Sequence, residues 1–215
     1  LGDARKSLPN DISALFPDEF EFTEEMGWIP KGWEVVDLSE IASITSGKRP
    51  KERYDVPTAN ACVPLFGGGG IMGYVDEPLL LQPAILTGRV GTLGLLFRIT
   101  EPCWPSDNTL IIRTHNAYDF DFVRFQLEQV DFASLNRGST QPLLAQRDLA
   151  TRRLGIPSDA LRTAFADLVC GWFDLNKCGI EESILLSLMR DALLPRLLSG
   201  ELRIPDAQEI VEASA

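Results

Sequence analysis

Histidine is almost absent from this chain: 215 residues contain one, His115. With no Ser or Cys that the sequence places beside it, a nucleophile–base pair is not legible, and His115 reads as structural. Cysteine is sparse too. Cys62, Cys103, Cys170 and Cys178 show no CxxC spacing. No clustered metal-ligand set is expected, and the four read as reduced, mostly buried thiols in a cytoplasmic protein. Long apolar runs are missing: nothing approaches the roughly 20 residues that span a bilayer, and segments such as Ile184–Leu188 are short and interrupted by charge. The acidic, polar start does not resemble a signal peptide. The chain begins with Leu1 rather than Met, which reads as a piece of a longer chain.

Positive charge is in deficit, with 20 Lys and Arg against 31 Asp and Glu, for a net charge of −11. Its distribution is more informative than the total. Residues 1–27 hold 2 basic and 7 acidic side chains (net −5), residues 28–157 hold 13 and 14 (net −1), and residues 158–215 hold 5 and 10 (net −5). The acidity lies at the two ends around a nearly neutral middle. A nucleic-acid surface needs a local positive face rather than a basic total. An acidic chain acting alone should nevertheless bind DNA weakly, because phosphate neutralisation supplies most non-specific affinity.

What is present is enough apolar material, 45% of residues, for a core. Residues 1–27 read as a lead-in without a clear period, whose Phe16, Phe20 and Phe22, with Trp28 beyond, suggest packing on something. Residues 28–157 read as one mixed α/β domain. Trp33–Leu38 is strand-like, Leu38–Ile44 a helical turn, and Pro83–Thr87, Leu93–Thr100 and Leu110–Thr114 are β-rich runs between Gly and Pro. Asp119–Phe132 has helical spacing at Phe122, Phe125, Gln129 and Phe132, and Leu149–Pro157 is a final extended piece. Residues 158–204 predict a helical region. Ser158 is a candidate N-cap, and Leu161, Phe165, Leu168, Trp172 and Leu175 form an amphipathic face. Lys177–Gly179 is expected to break the helix. A second helix then carries Leu185, Leu188, Ala192 and Pro195 on one stripe, kinks at Pro195 and stops at Gly200. Two helices in series predict a hairpin or coiled-coil arm. Residues 205–215 read as a tail. The fold class is α+β, a twisted β-rich domain followed by a helical arm.

Several loops carry candidate chemistry. Gly68-Gly69-Gly70-Ile71-Met72-Gly73 formally matches GxGxxG, but Tyr74-Val75-Asp76-Glu77-Pro78 follows instead of a helix, and no acid lies between Pro78 and Glu101, so a dinucleotide fold is not indicated. Gly68, Gly69 and Gly70 instead suit a close backbone approach to a partner, or a plain surface turn. Lys48, Arg49, Lys51 and Arg53 make the densest basic segment, suited to phosphates or left as a solvated loop. Gly47-Lys48 is not a phosphate loop, because Arg49 follows in place of Ser or Thr. Arg89, the one charge from Pro78 to Phe97, sits on a second glycine loop; it suits a phosphate or guanine edge, or a structural salt bridge. Ser139, Thr140 and Gln141 are short hydrogen-bonders suited to phosphates, base edges or turn duty. Asp107-Asn108 has a metal-binding look but no second acidic pair to help it.

Taken in order, these segments resemble one family. Gly27-Trp28-Ile29-Pro30-Lys31-Gly32-Trp33-Glu34 looks like the G-x-I-P-x-G-W opening of a recognition domain in Type I restriction-modification specificity subunits. Pro64-Leu65-Phe66-Gly67-Gly68-Gly69, the Ile85–Gly94 loop with Arg89, and Pro105-Ser106-Asp107-Asn108-Thr109 follow in the family's order. Gly138-Ser139-Thr140-Gln141-Pro142-Leu143 resembles its G-S-T-Q segment, and Leu193–Leu202 resembles its helix terminus. The similarity runs over about residues 16–204.

The resemblance implies a non-catalytic chain that reads one half of a bipartite target in double-stranded DNA. It implies partner methyltransferase subunits, a restriction-translocase subunit, and a helix that pairs with a second specificity half or with itself. No amino-methyltransferase motif of the Asp-Pro-Pro-Tyr type and no Glu-x-Lys nuclease core is present, which fits activities carried on partners. Phe16-Pro17-Asp18-Glu19-Phe20 resembles the approach to a second domain, so a C-terminal half is expected. No cofactor or metal is expected. The alternative of another class is a small-molecule or carbohydrate-binding module on a helical oligomerisation arm, which predicts a discrete pocket.

Overall fold

The structure, a computed structural model, describes residues 8–138 and 140–201. The chain divides into two compact units, one ending at Asp167 and one beginning at Leu168.

The first unit is organised by a four-stranded antiparallel sheet in the order β4-β10-β7-β8, with β4 at Ala42–Ser46, β7 at Ala84–Gly88, β8 at Leu96–Ile99 and β10 at Thr109–Thr114. Side chains alternate across a strand, and here both faces are covered. Ile85, Leu110 and Ile112 point into one core with Phe120, Val123 and Leu127 of helix α3 (Asp119–Glu128). Ala84, Leu86 and Ile111 point into a second core with Leu80, Ile99 and Cys103, packed against Phe66 and Phe97. This explains why β7 is buried at every position and reads as a continuous apolar run. Burial pushes the Cys103 thiol up to about 11.

Around this sheet, β5 (Val63–Gly67) pairs antiparallel with β6 (Gly70–Val75) and parallel with β9 (Trp104–Pro105). β3 (Glu34–Asp37) pairs with β11 (Arg153–Ile156), bringing the two ends of the domain together. Asp37 caps the short helix α2 (Leu38–Ile41), and Glu40 completes a capping box. Further short helices are α1 (Asn10–Ser13) and α4 (Gln146–Ala150). The lead-in pairs with the segment that follows it: β1 (Phe20–Thr23) forms a hairpin with β2 (Gly27–Pro30). Phe20, Phe22 and Trp28 are exposed on it, Phe22 and Trp28 meeting edge-on at 5.6 Å.

Helix α5 spans Asp159–Leu198. Ser158 caps it, its Oγ accepting from Leu161 N at 3.4 Å. Its first turns are fastened within the first unit. Arg162, nearly buried, pairs with buried Asp119 and with Asp159, and Phe165 meets Phe122 and Phe125 edge-on at 5.9 and 5.7 Å. A second ion pair ties sheet to helix: Arg98 of β8 donates from Nε and Nη2 to the two oxygens of Asp121 at 2.7 and 3.0 Å. From Leu168 onward many of the helix's large apolar side chains are exposed, among them Trp172, Leu175, Ile184, Leu185 and Leu188, while Phe173, Leu193 and Leu197 are half-buried.

Several expectations are corrected. Lys177–Gly179 does not break the helix; one helix of 40 residues replaces the hairpin. Lys favours helix, and an isolated Gly costs only about 1 kcal/mol against Ala, less than the surrounding turns supply. Pro195 lies inside the helix, which runs on to Leu198 although the proline ring removes the hydrogen bond to the carbonyl four residues back. Gly200 follows its end in the left-handed conformation, φ 74°. The helical turn at 38–44 gives way to strand at Ala42, the helix at 119 ends at Glu128, and the extended piece begins only after α4. The thiols are not mostly buried: Cys62, Cys170 and Cys178 are exposed, the latter two because they lie on the uncovered helix. Gly68 and Gly69 do form a turn, and the two strands it joins over Val63–Val75 were not foreseen.

Candidate nucleic-acid interface

Strand register gathers the candidate loops. Ser46, the last residue of β4, stands opposite Leu110, Gly88, the last of β7, opposite Thr109, and Leu96, the first of β8, opposite Thr87. The segments after Ser46, after Gly88 and before Thr109 therefore leave the same end of the sheet.

Main-chain hydrogen bonds tie these segments together. Lys48 N donates to Pro105 O at 3.0 Å, Ser106 N to Phe66 O at 2.8 Å, Arg89 N to Asn108 O at 2.9 Å, Gly91 N to Pro142 O at 2.9 Å and Leu144 N to Arg89 O at 2.8 Å. Two glycines are demanded by the packing. A Cβ on Gly47 would lie 2.2 Å from Ser106 O, and one on Gly88 2.3 Å from Thr92 O and 2.8 Å from the Cα of Gly68. The β5–β6 hairpin tip thus rests on the end of β7.

The predicted site residues separate on this frame. Lys48, Arg49, Lys51 and Arg53 are all exposed but do not form one clamp. Arg49 faces Asp107 at 3.4 Å. Arg53 pairs with Asp55 at 3.3 Å and lies over Gly73 in β6, away from the hairpin tip. Lys48 and Lys51 pair with no carboxylate among the described residues. Gly68 packs inward on Gly88, Gly69 is open, and Gly70 adopts φ 119° beside Phe97. Thr140 and Gln141 are exposed on the loop held to Gly91; Ser139 lies outside the described residues.

Arg89 forms no ion pair among the described residues. Its Nη1 donates to Ser46 Oγ at 3.2 Å, while its Nε is buried without a partner. Since β10 lies between β4 and β7, this contact carries the side chain across the end of the central strand. Ser46 and the exposed Asn108 are members of the cluster that sequence reasoning missed. Asn108 was visible beside Asp107 as a metal candidate and within the Pro105–Thr109 family segment, but not as a site residue; the Asp107 carboxylate is turned to Arg49. A cavity of about 320 Å³ lies apart from these residues, lined by Ser134, Asn136, Arg137, Asp148 and Arg152; Arg137 is committed there to Asp148.

Residues 30–160 match the family described as Type I restriction modification DNA specificity domain, and the chain belongs to that family. It is 25% identical over 222 residues to the Type I restriction enzyme MjaIX specificity subunit of Methanocaldococcus jannaschii, covering 91% of this chain and 50% of the relative. It is likewise 25% identical over 195 residues to the HindI specificity subunit of Haemophilus influenzae, covering 81% and 42%. The chain thus spans about half the length of the curated relatives it matches. Its fold resembles the crystal structure of an S subunit from M. genitalium, with TM-score 0.67, 14% identity, 78% of this chain and 46% of the other. It also resembles the HsdS subunit from Thermoanaerobacter tengcongensis, with TM-score 0.52, 16% identity, 94% and 53%.

Proposed function

We propose that this chain recognises one half of a bipartite double-stranded DNA target as half of a Type I specificity subunit, and that it directs catalysis carried on other subunits. The observation that carries the reading is the convergence of the segments at 47–49, 67–70, 88–94, 105–108 and 140–143 at one sheet end, presenting Lys48 and Arg89, with Lys51 just beyond in the chain, without carboxylate partners among the described residues. In a chain of net charge −11, cations left unneutralised at one place supply the local positive face that phosphates require.

The exposed apolar face of α5 beyond Leu168 supports pairing with a second specificity half or a second copy, and docking of a methyltransferase subunit. A restriction-translocase subunit completes the proposed assembly, by family analogy. No catalytic residue or cofactor is assigned to this chain.

The test is a gel shift of the chain with its methyltransferase subunit on random-sequence duplexes, followed by sequencing of the bound pool. Recovery of a motif of a few base pairs supports the reading; no complex and no enriched motif overturns it in favour of ligand binding. Replacing Lys48 and Lys51 together by Ala should weaken every duplex alike and lower the salt slope by about 2. An unchanged slope removes them from the phosphate contacts.

A further inference from the structure

We infer that Arg89 is the base-reading residue of this site, placed to contact the major-groove edge of a guanine, while Lys48 and Lys51 hold phosphates. The inference rests on the DNA reading above and goes beyond it by assigning the two kinds of contact to different residues.

Arg89 differs from the other cations in three ways. Its backbone is held from both sides, N–H to Asn108 O and C=O from Leu144 N, so its Cα is fixed where β7 ends. Its side chain is half-buried and laid across the end of β10 against Ser46, at the centre of the converging loops. Its guanidinium has a neutral hydroxyl as partner and no carboxylate among the described residues; its buried Nε lacks a hydrogen-bond partner, as does that of Arg162, whose guanidinium is nevertheless paired with two carboxylates. Taking a charge and a donor out of water is unfavourable when they are left uncompensated. A guanidinium that serves the fold acquires a carboxylate, as Arg98 does from Asp121 and Arg162 from Asp119. Arg89 has neither that compensation nor full hydration.

The acceptor it awaits follows from its shape. A planar fork of donors, fixed in position, matches the paired O6 and N7 acceptors of guanine, the commonest specific contact in the major groove. Lys48 and Lys51 have the opposite character: exposed point charges on long stems, on a loop rather than a strand end. Such groups follow a phosphate backbone and carry no sequence information.

The experiment sequences the bound pool from random duplexes for the full chain with its methyltransferase subunit, as wild type, Arg89→Lys and Arg89→Ala. The expected result is loss of preference at a single guanine by about tenfold to a hundredfold in both variants, with the other positions retained. Arg89→Lys keeps the charge and serves where Arg89→Ala fails to fold. Guanine N7 methylation of the wild-type motif should block binding at that one base, a readout that needs no variant. An unchanged motif in both variants overturns the inference and leaves the DNA reading standing. Equal weakening at every position also overturns it, by making Arg89 a phosphate contact. A wild-type pool with no motif overturns both.

Discussion

Leu110 and Trp172 are large apolar side chains of one chain, and their fates are opposite: 0% exposed in the first, 81% in the second. Leu110 sits in a strand whose two faces are covered by helix α3 and by the Phe66–Phe97 layer. Trp172 sits on the part of the helix that carries exposed apolar side chains among the described residues. Both were recognisable as apolar positions with a regular period. Periodicity says which side of an element seeks cover; it does not say whether the cover is encoded in the same chain. The first unit covers both faces of its central sheet, whereas the helix beyond Leu168 carries a largely exposed apolar stripe.

This contrast is sharpest at the root of α5, where Arg162 still belongs to the closed unit. Arg162→Met should cost about 3–5 kcal/mol, because it strands the buried Asp119 carboxylate. Chemical denaturation reads this directly, and a loss below about 1 kcal/mol would mean the fastening is superficial. Next, Leu110→Ala should cost about 2–5 kcal/mol through the cavity it opens, whereas Trp172→Ala should stay within about 0.5 kcal/mol at low protein concentration. Equal losses would break the comparison by showing that Trp172 is already covered in solution. The smallest effect expected is a gain. A Cβ on Gly179 meets nothing within 4 Å, so Gly179→Ala should stabilise the helix by about 1 kcal/mol, seen as a higher helical signal on heating. A loss instead would show that the glycine is needed for a close approach.

The same contrast explains how far the sequence could be read. β7 and β10 were legible as continuous apolar runs between Gly and Pro, and α3 by its helical period. The β5–β6 hairpin was not, since Pro64 and the run Gly67–Gly70 carry turn chemistry inside a paired segment. The single long helix was missed because Lys177–Gly179 was weighed as a local breaker, while helix propagation spreads its cost over many residues. For the site, the individual loops were visible by composition. Their meeting was not, because it follows from the order β4-β10-β7-β8, which places strands distant in sequence side by side. The four-cation segment is split separately, by the bridge of Tyr54 to Tyr74 that carries Arg53 along β6.

The loops at this sheet end are moored by peptide groups: Lys48 to Pro105, Arg89 to Asn108, Gly91 to Pro142, Leu144 to Arg89, Ser106 to Phe66. Peptide groups are alike whatever side chain they bear. The frame therefore works as an interchangeable mount, in which outward-facing residues such as Asn108, Thr140 and Gln141 can be exchanged without loosening their moorings. On the proposed reading of the site, altered target preference follows from short loop rewriting, with the sheet beneath left as it is.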